Sequence, residues 1–174
     1  NSISLILYGD VPLVEKTTLK KLINSAAKGN LSLLTFIKDD PTGYGRIIRG
    51  SKSSVQKITE HKDATNQEKQ IKEVNSGIMA VKSDLLQKLL PAIKNQNAAK
   101  EYYLTDLVEI ANTSSIKVTG TICDAYEVGG ANDRQELHDL ERALQKKIAS
   151  SLLQKGVTIA DTARLDIRGD TKIG

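Results

Sequence analysis

The chain has 174 residues, enough for one packed domain plus an appendage. With 39% apolar and 26% charged residues, its composition excludes a largely disordered chain, and no apolar run approaches the roughly 20 residues that span a bilayer, so no membrane partner is expected. The net charge of +4 is diffuse: Lys16, Lys20, Lys21 and Lys28 share one expected helix, while Lys69, Lys72, Lys146 and Lys147 interleave with Glu68, Glu73, Glu141 and Asp139. With only Phe36 and five Tyr to stack on bases, and no helix-turn-helix or RNP-like pattern, no nucleic-acid partner is expected.

The first nine residues carry no basic leader or cleavage site and read as the interior of a larger protein. Ile3-Ser-Leu-Ile-Leu-Tyr8 is a short apolar run closed by Gly9-Asp10, the pattern of a buried strand with a polar residue at its carboxyl end. A helix follows, with Thr17 or Thr18 as cap, Leu19, Leu22, Ile23 and Ala26 at helical spacing, and Gly29 as its stop. Residues 31–37 form a second buried strand. The turn composition of 39–45 leads to two shorter strands, at Ile47-Ile48 and 55–58, joined around Gly50-Ser51 as a hairpin.

Residues 60–65 open a polar, mobile stretch, after which 74–81 is again a strand. Ser83 or Asp84 caps a helix carrying Leu85, Leu86, Leu89 and Leu90, and Thr105-Asp106 caps one carrying Leu107, Val108 and Ile110. The strand that follows, at 116–122, runs into Cys123, the single cysteine. One cysteine permits no internal disulfide and no Cys-based metal site, and it fits a reducing cytoplasm. After Gly129-Gly130 an amphipathic helix is predicted from about Asp133 to Lys155, with Leu137, Leu140, Leu144, Ile148 and Leu152 as its stripe and Gly156 as its end. Alternating strands and helices over the first 130 residues argue for a largely parallel α/β sheet with helices on its faces. Val157, Ile159, Leu165, Ile167 and Ile173 have the spacing of inward positions in one coil of a parallel β-helix, although one coil establishes no period.

The chemistry concentrates in a few short segments. In Leu7-Tyr-Gly-Asp-Val-Pro-Leu13, an Asp at the end of a central strand can project into the crevice where open α/β sheets bind ligands, and its hard oxygens suit Mg²⁺. The same Asp10 also reads as the start of a turn before proline. Asp39-Asp-Pro-Thr-Gly-Tyr-Gly-Arg46, Glu60-His-Lys-Asp-Ala-Thr65, Val74-Asn-Ser-Gly77, Glu101-Tyr-Tyr-Leu-Thr-Asp106 and Glu127-Val-Gly-Gly-Ala-Asn-Asp-Arg134 follow in order. Together the six segments resemble the bifunctional bacterial N-acetylglucosamine-1-phosphate uridyltransferase/glucosamine-1-phosphate acetyltransferase family, over essentially residues 5–174.

The resemblance implies a partial Rossmann-like nucleotidyltransferase domain, its mixed sheet mostly parallel, over 1–132. A linker helix over 133–156 and the first coil of a left-handed parallel β-helix acetyltransferase domain over 157–174 would follow. It implies that Gly45, Glu60, Asn75 and Thr105 contact the acetamido sugar, that Tyr8 and Gly9 add to the substrate-binding surface, and that Asp10 and Asn132 hold Mg²⁺, with Asn132 also touching substrate. No covalent catalytic residue is expected. The parent would join UTP and N-acetylglucosamine 1-phosphate to give UDP-N-acetylglucosamine and pyrophosphate for cell-wall precursor synthesis, would acetylate glucosamine 1-phosphate with acetyl-CoA, and would be a homotrimer.

Local chemistry offers a plain reading beside each role. Gly45 admits a close backbone approach or simply makes the hairpin turn. Glu60 can accept sugar hydroxyls or stand solvated at a strand end. Asn75 offers a donor and an acceptor to an amide-bearing sugar, or turns the chain before Gly77. Asn132 supplies a carbonyl oxygen or caps the long helix, and both can hold. His61 and His138 lack the partners of a zinc site and read as structural or exposed. The family's Gly-rich triphosphate loop and uracil-binding segment have no counterpart among these 174 residues: Gly43-Tyr-Gly45 leads to a strand instead of a helix. Ser76 and Ala131 depart from the family pattern without removing a ligand. The segment alone is therefore expected to be inactive, and to self-associate through the 133–156 helix or pack it back on its own sheet. A related transferase with another sugar or nucleotide, and a non-catalytic binding module, are the alternatives.

Overall fold

The computed structural model describes residues 2–50, 54–169 and 171–173. Six strands, β1 (Ile3–Ile6), β2 (Leu31–Ile37), β3 (Arg46–Arg49), β4 (Val55–Thr59), β5 (Glu73–Lys82) and β6 (Val118–Ile122), form one sheet. Its order is β4-β3-β5-β2-β6, with β1 also on β5. The helices are α1 (Lys16–Ala27), α2 (Ser83–Leu89), α3 (Leu107–Thr113) and α4 (Arg134–Gln154).

The period-2 alternation of the central strands explains why both faces of the sheet are covered. On β2 and β5, Leu34, Phe36, Val74, Ile78 and Ala80 pack with Leu22 and Ala26 of α1. Leu31, Leu33, Met79 and Val81 face the other way, against Leu89 of α2 and Leu107, Val108 and Ala111 of α3. Most of these side chains are fully buried, and each large one contributes roughly 1.5 to 3 kcal/mol by leaving water.

The sheet is mixed, but the expectation that it is largely parallel fails. Among the described residues only β2 and β6 pair in parallel, while β1 with β5, β2 with β5, β3 with β4 and β3 with β5 are antiparallel. β1, α1 and β2 form the anticipated right-order βαβ unit, yet β5 lies between the two strands: Ala80 is opposite Leu5 on one side and Ser32 on the other. An apolar run tells that a strand is buried and carries no direction, which is set by the partner it finds.

The predicted elements otherwise form, with changes at their ends. β1 stops at Ile6, leaving Leu7 and Tyr8 about half exposed. α1 starts at Lys16 with no side-chain cap: Thr18 is buried instead, and Thr17 donates to Glu15 Oε2 at 3.3 Å. α2 likewise lacks a side-chain cap, and the turn before α3 is a 3-10 turn, Leu104–Asp106, whose Thr105 points elsewhere. The β3–β4 connection is closed by the Gly50 N–H on the Ser54 carbonyl at 2.9 Å; Ser51 lies outside the described residues. The polar stretch after β4 is tied down by Glu68, which accepts from the Thr65 N–H and hydroxyl and from Thr59.

α4 has a well-formed start and end. Asp133 accepts the Glu136 N–H at 2.8 Å, while Glu136 reaches back to the Asn132 N–H at 2.7 Å, so Asp133 and not Asn132 is the cap. At the far end Gly156, at φ +88°, donates to the Leu153 carbonyl and Val157 donates to Leu152, the paired closure that a left-handed residue makes possible. Lys147 bonds Glu15 and Tyr126, and Leu140 lies where a side chain on Gly129 would stand, so the helix is fastened to the sheet domain. The following residues form a 3-10 turn, Thr162–Arg164, and no strand among those described. They run back along α4, where buried Gln145 donates to the Ile167 carbonyl and accepts its N–H. Gly174 lies outside the described residues. Of the predicted stripe, Leu140, Ile148 and Leu152 are partly covered, whereas Leu137 and Leu144 stay exposed.

Candidate functional site

Residues from five segments meet along one margin of the sheet. Gly45 begins the approach to β3, and its carbonyl accepts the Asn75 N–H at 2.9 Å. Opposite it, directly after β4, stands Glu60: a Cβ added at Gly45 would lie 3.3 Å from Glu60 Oε1 and 2.8 Å from Ile58 Cγ2. The absent side chain is what lets the two segments come this close. Thr105, freed from helix capping by the 3-10 turn, donates its hydroxyl to Glu60 Oε1 at 2.9 Å. Gly45, Glu60, Asn75 and Thr105 are thus brought together from positions up to sixty residues apart.

Tyr8 joins the group from the end of β1. Gly77 has φ +80°, and a Cβ there would fall 1.9 Å from the Tyr8 ring; only glycine allows both the backbone conformation and the contact. The Asn75 side-chain oxygen accepts the Gly77 N–H at 3.1 Å, linking Tyr8 to the four residues above. Gly9 is placed by its neighbours alone, since nothing stands within 4 Å of where its side chain would be.

Asp10 and Asn132 come together across 122 positions of sequence. The Ala131 N–H donates to the Asp10 carbonyl at 3.0 Å, and a Cβ on Gly130 would lie 3.6 Å from Asp10 Oδ2 and 4.0 Å from Asn132 Nδ2. A carboxylate and an amide thus stand beside one point of the backbone. Rotating the Asn132 amide by half a turn would exchange its nitrogen for its carbonyl oxygen at that point. Hard oxygen donors of this kind suit Mg²⁺, which takes its remaining ligands from water and phosphate.

The electrostatics differ along the margin. Beyond Glu60, Asp63 and Asp106 gather near Tyr103 and Glu109 around a shallow cleft. Burial, then Glu109, Glu60 and Asp63 hold the Asp106 carboxyl above its ordinary value, and burial followed by the same acidic surroundings raises the Tyr103 hydroxyl. Such a region accepts hydrogen bonds from hydroxyls and repels phosphate. Cys123, half-buried, has its thiol pushed up to about 12 by burial and by Glu127 and Asp124, so it is an inert packing residue.

One residue of the site region had no assigned part in the sequence reading: Arg46 is 1% exposed, bonds the Tyr44 carbonyl and lies 3.2 Å from His61 Nδ1. Its sequence signal is an arginine opening the otherwise apolar start of β3, immediately after Gly45. His61, expected to be structural or exposed, is half-buried in that contact.

No family model matches the chain. Curated relatives do. It is 49% identical over its whole length to the bifunctional protein GlmU of Acinetobacter baumannii (strain AYE), and 50% identical over 98% of its length to that of Idiomarina loihiensis. In each case it spans 38% of the relative's own length. Among solved structures, a protein assigned as a glucose-1-phosphate thymidylyltransferase from Bacillus anthracis superposes with a TM-score of 0.56 at 14% identity, over 94% of this chain and 58% of that one. A CMP:2-keto-3-deoxy-manno-octonic acid synthetase with CTP matches at 0.50 and 15% identity, over 88% and 62%. The fold is shared with these two proteins, and the sequence likeness runs from end to end: this chain belongs to the family of the bifunctional protein GlmU.

Proposed function

We propose that the chain is the sugar- and metal-binding part of a nucleotidyltransferase that joins UTP and N-acetylglucosamine 1-phosphate to give UDP-N-acetylglucosamine and pyrophosphate. The observation that carries this reading is the meeting of Gly45, Glu60, Asn75 and Thr105 at one place. Glu60, already accepting from Thr105, has a second oxygen for a sugar hydroxyl. Asn75 can serve an acetamido group through its amide N–H, since its oxygen is engaged by Gly77. The Tyr8 ring flanks them as an apolar wall. The acidic margin turns the sugar's hydroxyl side toward Glu60 and its phosphate away from it, toward Asp10 and Asn132.

Those two residues would hold Mg²⁺, which supplies charge neutralisation to the reacting phosphates when bound. With one carboxylate and one neutral amide, these residues would leave most of the ion's charge free to offset that of phosphate. The protein's own share of catalysis is placement: the sugar phosphate is held so that its oxygen can attack the nucleotide α-phosphorus in line. No covalent intermediate on the chain is needed.

In the same reading, residues 1–132 are the later part of the nucleotidyltransferase domain, 133–156 is a linker helix, and 157–174 begins a β-helix that acetylates glucosamine 1-phosphate with acetyl-CoA. The parent would be a cytoplasmic homotrimer; among the described residues no helix is long and apolar enough to cross a membrane. The test is pyrophosphate release by the full-length protein with UTP, Mg²⁺ and a panel of sugar 1-phosphates. Preference for N-acetylglucosamine 1-phosphate is expected, and preference for a sugar without the acetamido group would overturn the assignment.

A further inference from the structure

We propose that Arg46 is a positioning residue that sets the spacing of Gly45 and Glu60 by binding the two segments that carry them, and that His61 is its partner in the Nε2–H tautomer. This rests on the sugar-binding reading of Gly45 and Glu60.

The observation is an unusual buried cation. Arg46 is 1% exposed, and its Nε is buried with no hydrogen-bond partner. Among the described residues no carboxylate forms an ion pair with it. Arg49, three residues on in the same strand, grips Glu73 with its Nε and terminal nitrogen at 2.7 and 2.6 Å. The Asp40 carboxyl, held down first by Thr42 and least by Arg46, feels the guanidinium only from a distance; burying a guanidinium with no carboxylate bonded to it is costly, and packing alone gives no reason for it, since an apolar side chain would fill the same place.

What the guanidinium does is connect. One terminal nitrogen donates to the carbonyl of Tyr44, the residue before Gly45, and the other lies 3.2 Å from Nδ1 of His61, the residue after Glu60. A guanidinium has no acceptor, so His61 Nδ1 must accept and the ring proton must sit on Nε2. The two neighbours so bound face each other at 3.3 Å, measured from the position of a Cβ on Gly45 to Glu60 Oε1. Planar and forked, the group fixes both distance and angle, as an ammonium could not.

His61 is half-buried, so its replacement tests the clamp without emptying the core. The chain is titrated calorimetrically with N-acetylglucosamine 1-phosphate as wild type, His61→Asn, which keeps an acceptor near Nδ1, and His61→Leu, which does not. His61→Leu is expected to weaken binding about tenfold, the loss of one charge-assisted hydrogen bond, and to lower the melting temperature because a buried donor of Arg46 loses its acceptor, and His61→Asn to restore both. Nitrogen-15 spectra of the wild type are expected to show a bare Nδ1 and a protonated Nε2. Equal affinity in wild type and His61→Leu, or a protonated Nδ1, overturns the proposal. Absence of binding by the wild type overturns the sugar-binding reading itself, and the ring-nitrogen spectra then judge the clamp alone.

Discussion

Asp10 shows how little a residue's local sequence says about its part. Its neighbours read equally as a turn before proline, and only the return of residues 130–132 beside it, fixed by the Ala131 N–H on its carbonyl, brings it to Asn132 and makes it half of the proposed metal site. In the full-length protein Asp10→Asn is expected to lower uridyl transfer by about a thousandfold, several kcal/mol of charge stabilisation, while acetyl transfer from a separate site continues; equal loss of both rates would indicate a folding defect instead. Gly77 permits a sharper test on the chain itself. With φ +80° and the Tyr8 ring 1.9 Å from the Cβ position, Gly77→Ala must displace the ring and strain the backbone. A loss of about 2 to 4 kcal/mol in urea unfolding is expected, and an unchanged midpoint would show that Tyr8 does not rest there.

At the scale of elements, α4 is the piece whose attachment depends on a few polar contacts. Lys147 and then Tyr126 hold the Glu15 carboxyl at about 2, below its ordinary 4.5, and the same contacts raise the Lys147 ammonium. A carboxylate depressed in the folded state contributes stability above its unfolded value, and that contribution is lost as pH falls through the folded one. The window is therefore pH 4.5 down to 2, and solvent exposure of the pair keeps the contribution modest. Amide exchange along α4 is expected to accelerate between pH 5 and pH 3 relative to β2 and β5, and Lys147→Met to remove that difference. If the variant keeps the same pH profile, the helix is held by something else. The helix itself was legible in sequence, from its apolar spacing and the Gly156 stop. Its cap lies one residue later than Asn132: Asn132 and Asp133 are equally good caps by type, and what separates them is that the Asp133 carboxylate accepts the Glu136 N–H.

For the whole molecule, the consequence of family membership is that much of the relatives' length lies outside these 174 residues. The chain alone is expected to release no pyrophosphate above background from UTP and the sugar phosphate, because no Gly-rich triphosphate loop occurs in it; measurable turnover would show that such a loop is dispensable. Leu137 and Leu144, exposed on one side of α4, are expected to mediate weak self-association at high concentration, since each would shed apolar surface in a shared interface. Sedimentation of the wild type against Leu137→Glu with Leu144→Glu checks this: a dimer lost in the double variant is expected, and a monomer in both would leave the stripe to the segment that folds back along the helix.

The residues themselves determined which stretches are strands and helices, because burial periodicity, caps and glycine stops act over a few positions. They also determined the family, because six short segments in order are specific where each alone is not. Tertiary structure decided the direction of the strands, with β5 inserted antiparallel between β1 and β2, since an alternating apolar run pairs equally well either way until distant partners compete for its edge. It decided, too, that Thr105 serves Glu60 instead of a helix, that Asp10 meets Asn132, and that Arg46 is buried with no carboxylate bonded to it among the described residues. Each of these depends on a contact spanning many residues, and such contacts form only where the packed core has already brought the segments together.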